Sequence, residues 1–315
     1  MALPSGPAAV VEVPGPWQHR YVAANGARFH VAESTPDTSS PLVLLLHGFP
    51  EFWWAWRAQL PLLAENGYRA VAMDLRGYGG SDKPPRGYDP LTLAADAAGM
   101  VKALGARRAV VVGQGWGGYV GWTAAALHPR TVTGLCAVSA PHPLEMLPLV
   151  SSFFRGARDA GAMAHLLAMQ TPFVPERRLS RPASRYVADH LASWSSPSSS
   201  FPDAEAIQHY HAALSLWPAS HCALEYHRWL VRSRLRGDGR SYNALMEQPL
   251  GVPVCAVHGA DDHAVSARAS VRSGRRVNAS FESHVLPGTG HFPHEEDPDA
   301  FNAILLRWLA GLDLR

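Results

Sequence analysis

Two glycines, Gly113 and Gly117, flank a sharp turn in the stretch Val111-Val-Gly-Gln-Gly-Trp-Gly-Gly-Tyr-Val-Gly121. An apolar run precedes the turn and a helical pattern follows it, which predicts a buried strand that leads directly into a helix. A turn of this kind can carry a nucleophile at its centre, because the flanking glycines let the strand and helix backbones approach closely. The central residue here is Gly115, which has no side chain and cannot form a covalent bond to a substrate.

The same residues also match the dinucleotide-binding pattern G-x-G-x-x-G, with glycines at Gly113, Gly115 and Gly118. That site needs an acidic residue about twenty positions further on, at the end of the next strand, to bind the ribose. The corresponding segment, Ala137-Val-Ser-Ala140, contains no acidic residue. We therefore predict no dinucleotide site, and more generally no cofactor and no metal ion.

The composition predicts a folded globular protein. Of the 315 residues, 47% are apolar and 17% are charged, and the formal net charge is +2. This charge balance gives no reason to expect nucleic acid as a partner. No apolar run approaches the roughly eighteen residues of a membrane span, the first residues lack the pattern of a signal peptide, and the three cysteines lie far apart. We expect a soluble cytoplasmic protein with free thiols and no membrane association.

Hydrophobic runs and helical periodicity alternate along the chain, which is typical of a parallel, doubly wound sheet. After an irregular arm at residues 1–16, the predicted strands cover 28–33, 42–46, 70–73, 109–112, 135–138, 252–257 and 283–286. The predicted helices of this α/β layer cover 54–65, 91–104, 117–127 and 301–310. The alternation stops near residue 140, so we predict a core formed by 1–140 and 250–315 and a helical insertion at 141–249.

Three longer motifs resemble those of a known family. They are His47-Gly-Phe-Pro-Glu-Phe-Trp-Trp-Ala-Trp-Arg57, Asp74-Leu-Arg-Gly-Tyr-Gly-Gly-Ser-Asp82 and Gly290-His-Phe-Pro-His-Glu-Glu296. In order and spacing they resemble the α/β-hydrolases of the epoxide-hydrolase and haloalkane-dehalogenase group. The resemblance covers nearly the whole core and implies the α/β-hydrolase fold, a mostly parallel doubly wound sheet whose helical insertion is a cap.

The resemblance also implies a histidine and an acid of a catalytic site. His291 falls on the family's catalytic histidine. Asp262 lies three residues past a glycine, as the family's acid does, and would hold His291 in one tautomer and stabilise its charged form. Asp261 is the alternative acid. The chain order of nucleophile, acid and histidine is the one that this fold uses.

The resemblance further implies an oxyanion hole formed by the backbone N–H groups of Phe49 and Trp116. Other polar residues of the motifs are interpreted as bracing loops through hydrogen bonds, and these are His47, Asp74, Arg76, Asp82 and His294. Ser139, which follows the strand after the glycine turn, is interpreted as structural.

The sequence departs from the family pattern at the nucleophile and at the hydrogen-bond donors of the cap. The family's nucleophile is an aspartate where this chain has Gly115, and the residue before it is Gln114 instead of the usual histidine. Epoxide hydrolases also use two cap tyrosines as hydrogen-bond donors. His227 stands at the position of one, and the other would fall near 167–170, where there is no tyrosine. Three other tyrosines remain as candidates: Tyr186, Tyr210 and Tyr226.

The aromatic and aliphatic residues near these motifs predict an apolar ligand pocket, to which we assign Trp53, Trp116, His227 and Tyr186 as contact residues. The favoured hypothesis is a hydrolase that acts on a small apolar substrate without a covalent intermediate. His291 and Asp262 would supply general-base chemistry, hydrolysing an epoxide or ester or abstracting a proton. The alternative hypothesis is an inactive pseudoenzyme that binds a small apolar ligand. The sequence also allows a homodimer.

Overall fold

Eight strands form one sheet in the part of the chain that the computed structural model describes, which is residues 7–34, 37–146, 164–182 and 184–314. The strands are β1 Gln18–Ala24, β2 Ala27–Ser34, β3 Leu42–Leu46, β4 Arg69–Met73, β5 Ala109–Gln114, β6 Val132–Val138, β7 Val254–Gly259 and β8 Phe281–Leu286. Their order across the sheet is β1-β2-β4-β3-β5-β6-β7-β8.

The first two strands are antiparallel to their neighbours, and the remaining strand pairs are parallel. Every residue of β3 and β5 is buried, which explains why both read as continuous apolar runs. The predicted, mostly parallel, doubly wound sheet is therefore confirmed. The order also brings the ends of β5, β6 and β7 side by side at one edge of the sheet.

The described helices outside the segment between β6 and β7 precede or follow the strands of this sheet. They are α1 Pro7–Val11, α2 Gln59–Glu65, α3 Pro90–Ala103, α4 Trp116–Leu127, α11 Ala267–Arg272, α12 Pro293–Glu296 and α13 Pro298–Ala310. Acidic side chains begin two of the longer ones, since Asp89 accepts a hydrogen bond from Thr92 N (3.0 Å) and Asp297 one from Ala300 N (3.1 Å).

Six described helices lie between β6 and β7, where the helical insertion was predicted. They are α5 Ala164–Ala168, α6 Val174–Ser180, α7 Tyr186–Trp194, α8 Ala204–Ser215, α9 Ala219–Arg232 and α10 Gly237–Met246. We call these helices and the turns between them the insertion. The part of the predicted segment at 147–163 lies outside the described residues. No helix in the described part of the chain combines the length and apolar character that crossing a membrane requires.

The structure corrects the prediction for the N-terminal arm and the segment after β3. Part of the arm forms α1, whose Val11 is buried and accepts a hydrogen bond from Trp53 Nε1 at 2.8 Å. Strand β1 was not predicted, because it is a largely exposed edge strand without an apolar run. The helix predicted at 54–65 is instead a 3₁₀ turn, Trp53–Trp56, followed by α2.

Candidate active site

Gly115 forms the turn between β5 and α4. Its φ of +50° and ψ of −113° lie in a region that residues with a Cβ adopt only at a cost. Its backbone N–H donates to Val138 O on β6 at 3.0 Å, so the turn is fixed against the neighbouring strand. A Cβ on Gly113 would overlap the Gly117 backbone, which explains the first flanking glycine.

The open side of Gly115 faces the imidazole of His291. A Cβ built on Gly115 would lie 3.4 Å from His291 Nε2 and 3.7 Å from the Cα atom of Gly48. These are ordinary contact distances, so the site has room for the first atom of a side chain. The turn and the predicted histidine therefore meet at one point.

His291 is held by Asp262. Its Nδ1 lies 2.8 Å from Asp262 Oδ2, while Asp262 Oδ1 accepts hydrogen bonds from the backbone N–H groups of Ala264 and Val265 at 2.8 and 2.9 Å. A proton on Nδ1 satisfies the carboxylate and leaves Nε2 as the acceptor that faces Gly115. Asp261, the alternative acid, instead accepts a hydrogen bond from Ser196 Oγ at 2.7 Å.

The electrostatics of this pair favour a charged imidazole. Burial alone would lower the pKa of His291, but the charge and hydrogen bond of Asp262 raise that pKa above 6.5. Burial would raise the pKa of Asp262, and His291 together with His258 holds it well below its ordinary value. His258 Nε2 lies 2.9 Å from Asp262 Oδ2. The pair is thus arranged to accept a proton at His291 Nε2.

The loop that carries His291 is fixed from three directions. The His291 N–H donates to Trp194 O in the insertion at 2.8 Å, and Gln114 Nε2 donates to His291 O at 3.0 Å. Glu296 accepts hydrogen bonds from the N–H groups of Gly290 (2.8 Å) and Phe292 (3.0 Å). Gln114 therefore positions the histidine loop.

The loop after β3 carries the predicted donor Phe49. His47 holds this loop, because its Nε2 accepts from Leu75 N at 3.0 Å and its Nδ1 lies 2.8 Å from Gly48 O. Within the described residues, the N–H groups of Phe49 and Trp116 have no protein acceptor. Both are therefore available to a bound oxyanion.

A cavity of about 50 Å³ lies above the glycine turn, between the sheet and the insertion. Five predicted site residues line it: Phe49, Gly115, Trp116, His227 and His291. At roughly 10–15 Å³ for each water, this volume suits a few water molecules or a small ligand. Its walls are mostly apolar, as predicted.

Two predicted contact residues do not line this cavity. Trp53 is fully buried, and its indole packs edge-on against Trp17, which follows the N-terminal arm, with ring centroids 5.2 Å apart. Tyr186 stacks on His190 at 6.1 Å. Trp53 was assigned because it lies in a motif, and Tyr186 as a possible substitute for a cap tyrosine. The packing of the N-terminal arm and of the insertion directs their side chains elsewhere.

His227 lines the cavity as a neutral hydrogen-bond acceptor. Its Nε2 accepts from Trp116 Nε1 at 3.0 Å, which requires the proton to be on Nδ1, 3.2 Å from Ala223 O. Burial lowers the pKa of His227 to about 3. The candidate tyrosines do not replace it, since Tyr226 OH donates to Arg76 O (2.8 Å) and Tyr210 OH bonds Glu295.

The cavity also contains residues that the sequence did not single out as contacts. The polar and aromatic ones are Ser139, Tyr119, His165 and Trp194. Trp194 packs edge-on against His291, with ring centroids 5.0 Å apart. A signal existed for Ser139, because the ends of adjacent parallel strands meet and Ser139 follows β6. No comparable signal existed for the residues of the insertion.

One cluster in the described part of the chain has the side chains of a metal site: Glu51, His294 and Glu295, with ligand atoms within 4.8 Å of one another. Both carboxylate oxygens of Glu295 already pair with the Arg57 guanidinium at 2.7 Å. Because this resident cation supplies the countercharge, the donor set does not fit a metal ion.

Comparison with known proteins identifies the family. The model of the alpha/beta hydrolase fold matches residues 41–298. Epoxide hydrolase 3 of Xenopus tropicalis is 32% identical over 303 residues, covering 93% of this chain and 78% of the relative. Epoxide hydrolase A of Mycobacterium tuberculosis is 30% identical over 319 residues, covering 94% and 98%.

Solved structures give the same result. The crystal structure of epoxide hydrolase A from Mycobacterium thermoresistibile has a TM-score of 0.76 and 26% identity, covering 95% of this chain and 100% of that chain. An epoxide hydrolase from an endophytic Streptomyces has a TM-score of 0.78 and 27% identity, covering 95% and 96%. These similarities confirm the predicted fold and support a hydrolase. The chain belongs to the α/β-hydrolase fold family and, within it, to the epoxide-hydrolase-like group.

Proposed function

We propose that the protein hydrolyses a small apolar ester or epoxide with a water molecule that His291 activates, without a covalent intermediate. One observation carries the proposal: His291 Nε2, polarised by Asp262, lies 3.4 Å from the position of a Cβ on Gly115. In this proposal Gly115 occupies the nucleophile position of the family, and the attacking water takes the role of the missing side chain. No cofactor takes part.

The exchange of a nucleophile for glycine is compatible with the fold. A residue with a Cβ at this positive φ stores roughly 1–3 kcal/mol of backbone strain, and glycine removes it. The strand, the helix and the backbone N–H groups of Phe49 and Trp116 do not depend on a side chain at residue 115. The chemical machinery other than the nucleophile is therefore retained.

The proposed reaction of an ester proceeds in two steps. His291 Nε2 takes a proton from water as the water oxygen attacks the carbonyl carbon, and the N–H groups of Phe49 and Trp116 bind the resulting oxyanion. Asp262 stabilises the imidazolium. The C–O bond to the leaving alcohol then breaks, and His291 returns its proton to that oxygen, giving an acid and an alcohol.

The surroundings of the cavity favour an ester over an epoxide. Opening an epoxide creates an alkoxide that needs a proton donor on the cap side of the site. His227, which stands at that position, is neutral, and its Nε2 accepts a hydrogen bond from Trp116. An ester instead places its developing charge at the backbone donors of the oxyanion hole.

A second candidate function is the binding of a small apolar ligand without turnover. Two observations favour it, namely the absence of a side chain at Gly115 and the neutral His227 in a mostly apolar cavity. This candidate and the hydrolase share a ligand class and differ only in the chemical step. An experiment must therefore measure binding and turnover on the same compounds.

The test compares wild type, His291→Ala and Asp262→Asn on short-chain p-nitrophenyl esters and styrene oxide. We expect ester turnover without an initial burst, lowered about 10²–10⁴-fold by His291→Ala. The matched control is His284→Ala on β8, whose ring lies 3.3 Å from Glu282 and does not line the cavity, and it should keep full turnover. Turnover that survives in His291→Ala contradicts the proposal. Thermal stabilisation by alkyl amides with no ester turnover in wild type identifies the binding function instead.

A further inference from the structure

Ser139 has an unusual backbone conformation at the end of β6. Its φ is +49°, and few non-glycine residues in the described part of the chain have a positive φ. The others are Asn25, in the tight turn between β1 and β2, and Phe173, which is 76% exposed. Ser139 is instead buried, and its strained conformation at the wall of a cavity is the kind that marks a functional position.

The sheet register places Ser139 beside Gly115. Gln114 on β5 pairs with Val138 on β6, so the next residues, Gly115 and Ser139, lie side by side where the two parallel strands end. The backbone N–H of Ser139 donates to Val257 O at 2.8 Å, which fixes the residue to β7. Both residues line the cavity together with His291.

The hydroxyl of Ser139 has no structural partner. Its Oγ is buried and makes no hydrogen bond to any described residue. A buried hydroxyl without a partner destabilises a fold, as does a positive φ on a residue with a Cβ. Alanine or glycine at this position would avoid the first cost, and glycine would avoid both. A purely structural role for Ser139 therefore gives no reason for a serine here.

We infer that the Ser139 hydroxyl holds the attacking water, an inference that rests on the proposed function. The water donates one hydrogen to His291 Nε2 and its second hydrogen to Ser139 Oγ. Because both hydrogens of the water are held by residues that line the cavity, an oxygen lone pair remains free to attack the substrate. The hydroxyl forms no covalent bond; it selects one orientation of the water that His291 deprotonates.

The experiment uses two variants that separate the hydroxyl from the backbone strain. Ser139→Ala removes the hydroxyl and keeps the Cβ, whereas Ser139→Gly removes both. We expect both variants to melt at or above the wild-type temperature, with Ser139→Gly the higher. We also expect kcat on the p-nitrophenyl esters to fall roughly 10-fold in both with KM unchanged, since the lost contact is to water and not to substrate.

A high-resolution crystal structure adds a direct readout. An ordered water within hydrogen-bonding distance of both Ser139 Oγ and His291 Nε2, lost in Ser139→Ala, supports the inference. If both variants keep the wild-type kcat while His291→Ala loses it, the inference is overturned and the proposed function stands. A lowered melting temperature in both variants, or a structure without that water, also overturns it. Wild type without turnover on any ester overturns both.

Discussion

Trp116 Nε1 donates a hydrogen bond to His227 Nε2 over 3.0 Å, joining the start of α4 to helix α9 of the insertion. An indole N–H can only donate, so this contact fixes the tautomer of His227. Burial lowers the pKa of His227 to about 3, so the imidazole stays neutral near pH 7. The wall of the cavity therefore presents a neutral acceptor that is already occupied, at the residue that the sequence resemblance assigns to a tyrosine donor.

The Trp116–His227 bond should appear as an energetic coupling between the sheet and the insertion. Trp116→Phe leaves the buried Nε2 of His227 without a donor and should cost about 1–3 kcal/mol of unfolding free energy. His227→Phe removes the acceptor, and in the double variant no unpaired polar group remains. We expect the double variant to lose less than the sum of the single losses, by about 1 kcal/mol, in urea unfolding followed by circular dichroism. Additive losses would mean that the bond contributes nothing.

The glycine turn predicts different outcomes for two substitutions at residue 115. Gly115→Ala and Gly115→Asp should both fold and both lose about 1–3 kcal/mol, because each puts a Cβ at a φ of +50°. Only the aspartate can attack carbon, and its Cβ would lie 3.4 Å from His291 Nε2. Intact-mass spectrometry after rapid quenching with an epoxide or alkyl halide should detect a covalent adduct in Gly115→Asp alone. An adduct in Gly115→Ala would assign the chemistry to another residue.

The sheet could be predicted from the order of its elements, and the His291–Asp262 dyad from the resemblance of its motifs to those of the α/β-hydrolases. Strands buried on both faces read as apolar runs, and the ends of parallel strands converge, so motifs at those ends meet. This is why His291 and Asp262 lie together. The directions of Trp53 and Tyr186 could not be predicted, because they depend on how the N-terminal arm and the insertion pack. The positive φ of Ser139 likewise has no signature in the residues that precede and follow it along the chain.

Arg57, whose side chain is 26% exposed, pairs under the insertion with the Glu295 carboxylate, which is 2% exposed, over two nitrogen–oxygen distances of 2.7 Å. Arg57→Ala leaves an uncompensated carboxylate and should cost about 3–5 kcal/mol. Burial already raises the pKa of Glu295, and losing Arg57 raises it further. An acid with a raised pKa in the folded state loses stability as pH rises, so the cost should be larger near pH 8 than near pH 5.

Two variants check the Arg57 prediction in chemical unfolding. Glu295→Gln in the Arg57→Ala background removes the buried charge and should recover part of the loss. Arg185, whose side chain is 87% exposed beside Asp189, is the matched control, and Arg185→Ala should stay within about 0.5 kcal/mol of wild type. An equal loss at both pH values would show that the arginine acts through packing and not through its charge.

The raised pKa of His291 predicts opposite pH trends for turnover and stability. General-base chemistry needs the neutral imidazole, so kcat should rise with pH and reach half its maximum above pH 6.5. The contact with Asp262 stabilises the charged imidazole of the folded protein. That contribution to the free energy of unfolding is present in full below pH 6.5 and is lost as pH rises through the folded-state pKa.

The His291→Gln variant isolates this contribution, because other titrating groups largely cancel when it is compared with wild type. The stability advantage of wild type in urea unfolding should be larger near pH 6 than near pH 9, while kcat changes in the opposite direction. In wild type Asp262 stays ionised throughout this range, since His291 and His258 hold its pKa well below its ordinary value. An advantage that is constant with pH would mean that the pKa of His291 is the same in the folded and the unfolded protein. Asp262 would then not stabilise the imidazolium on which the proposed reaction depends.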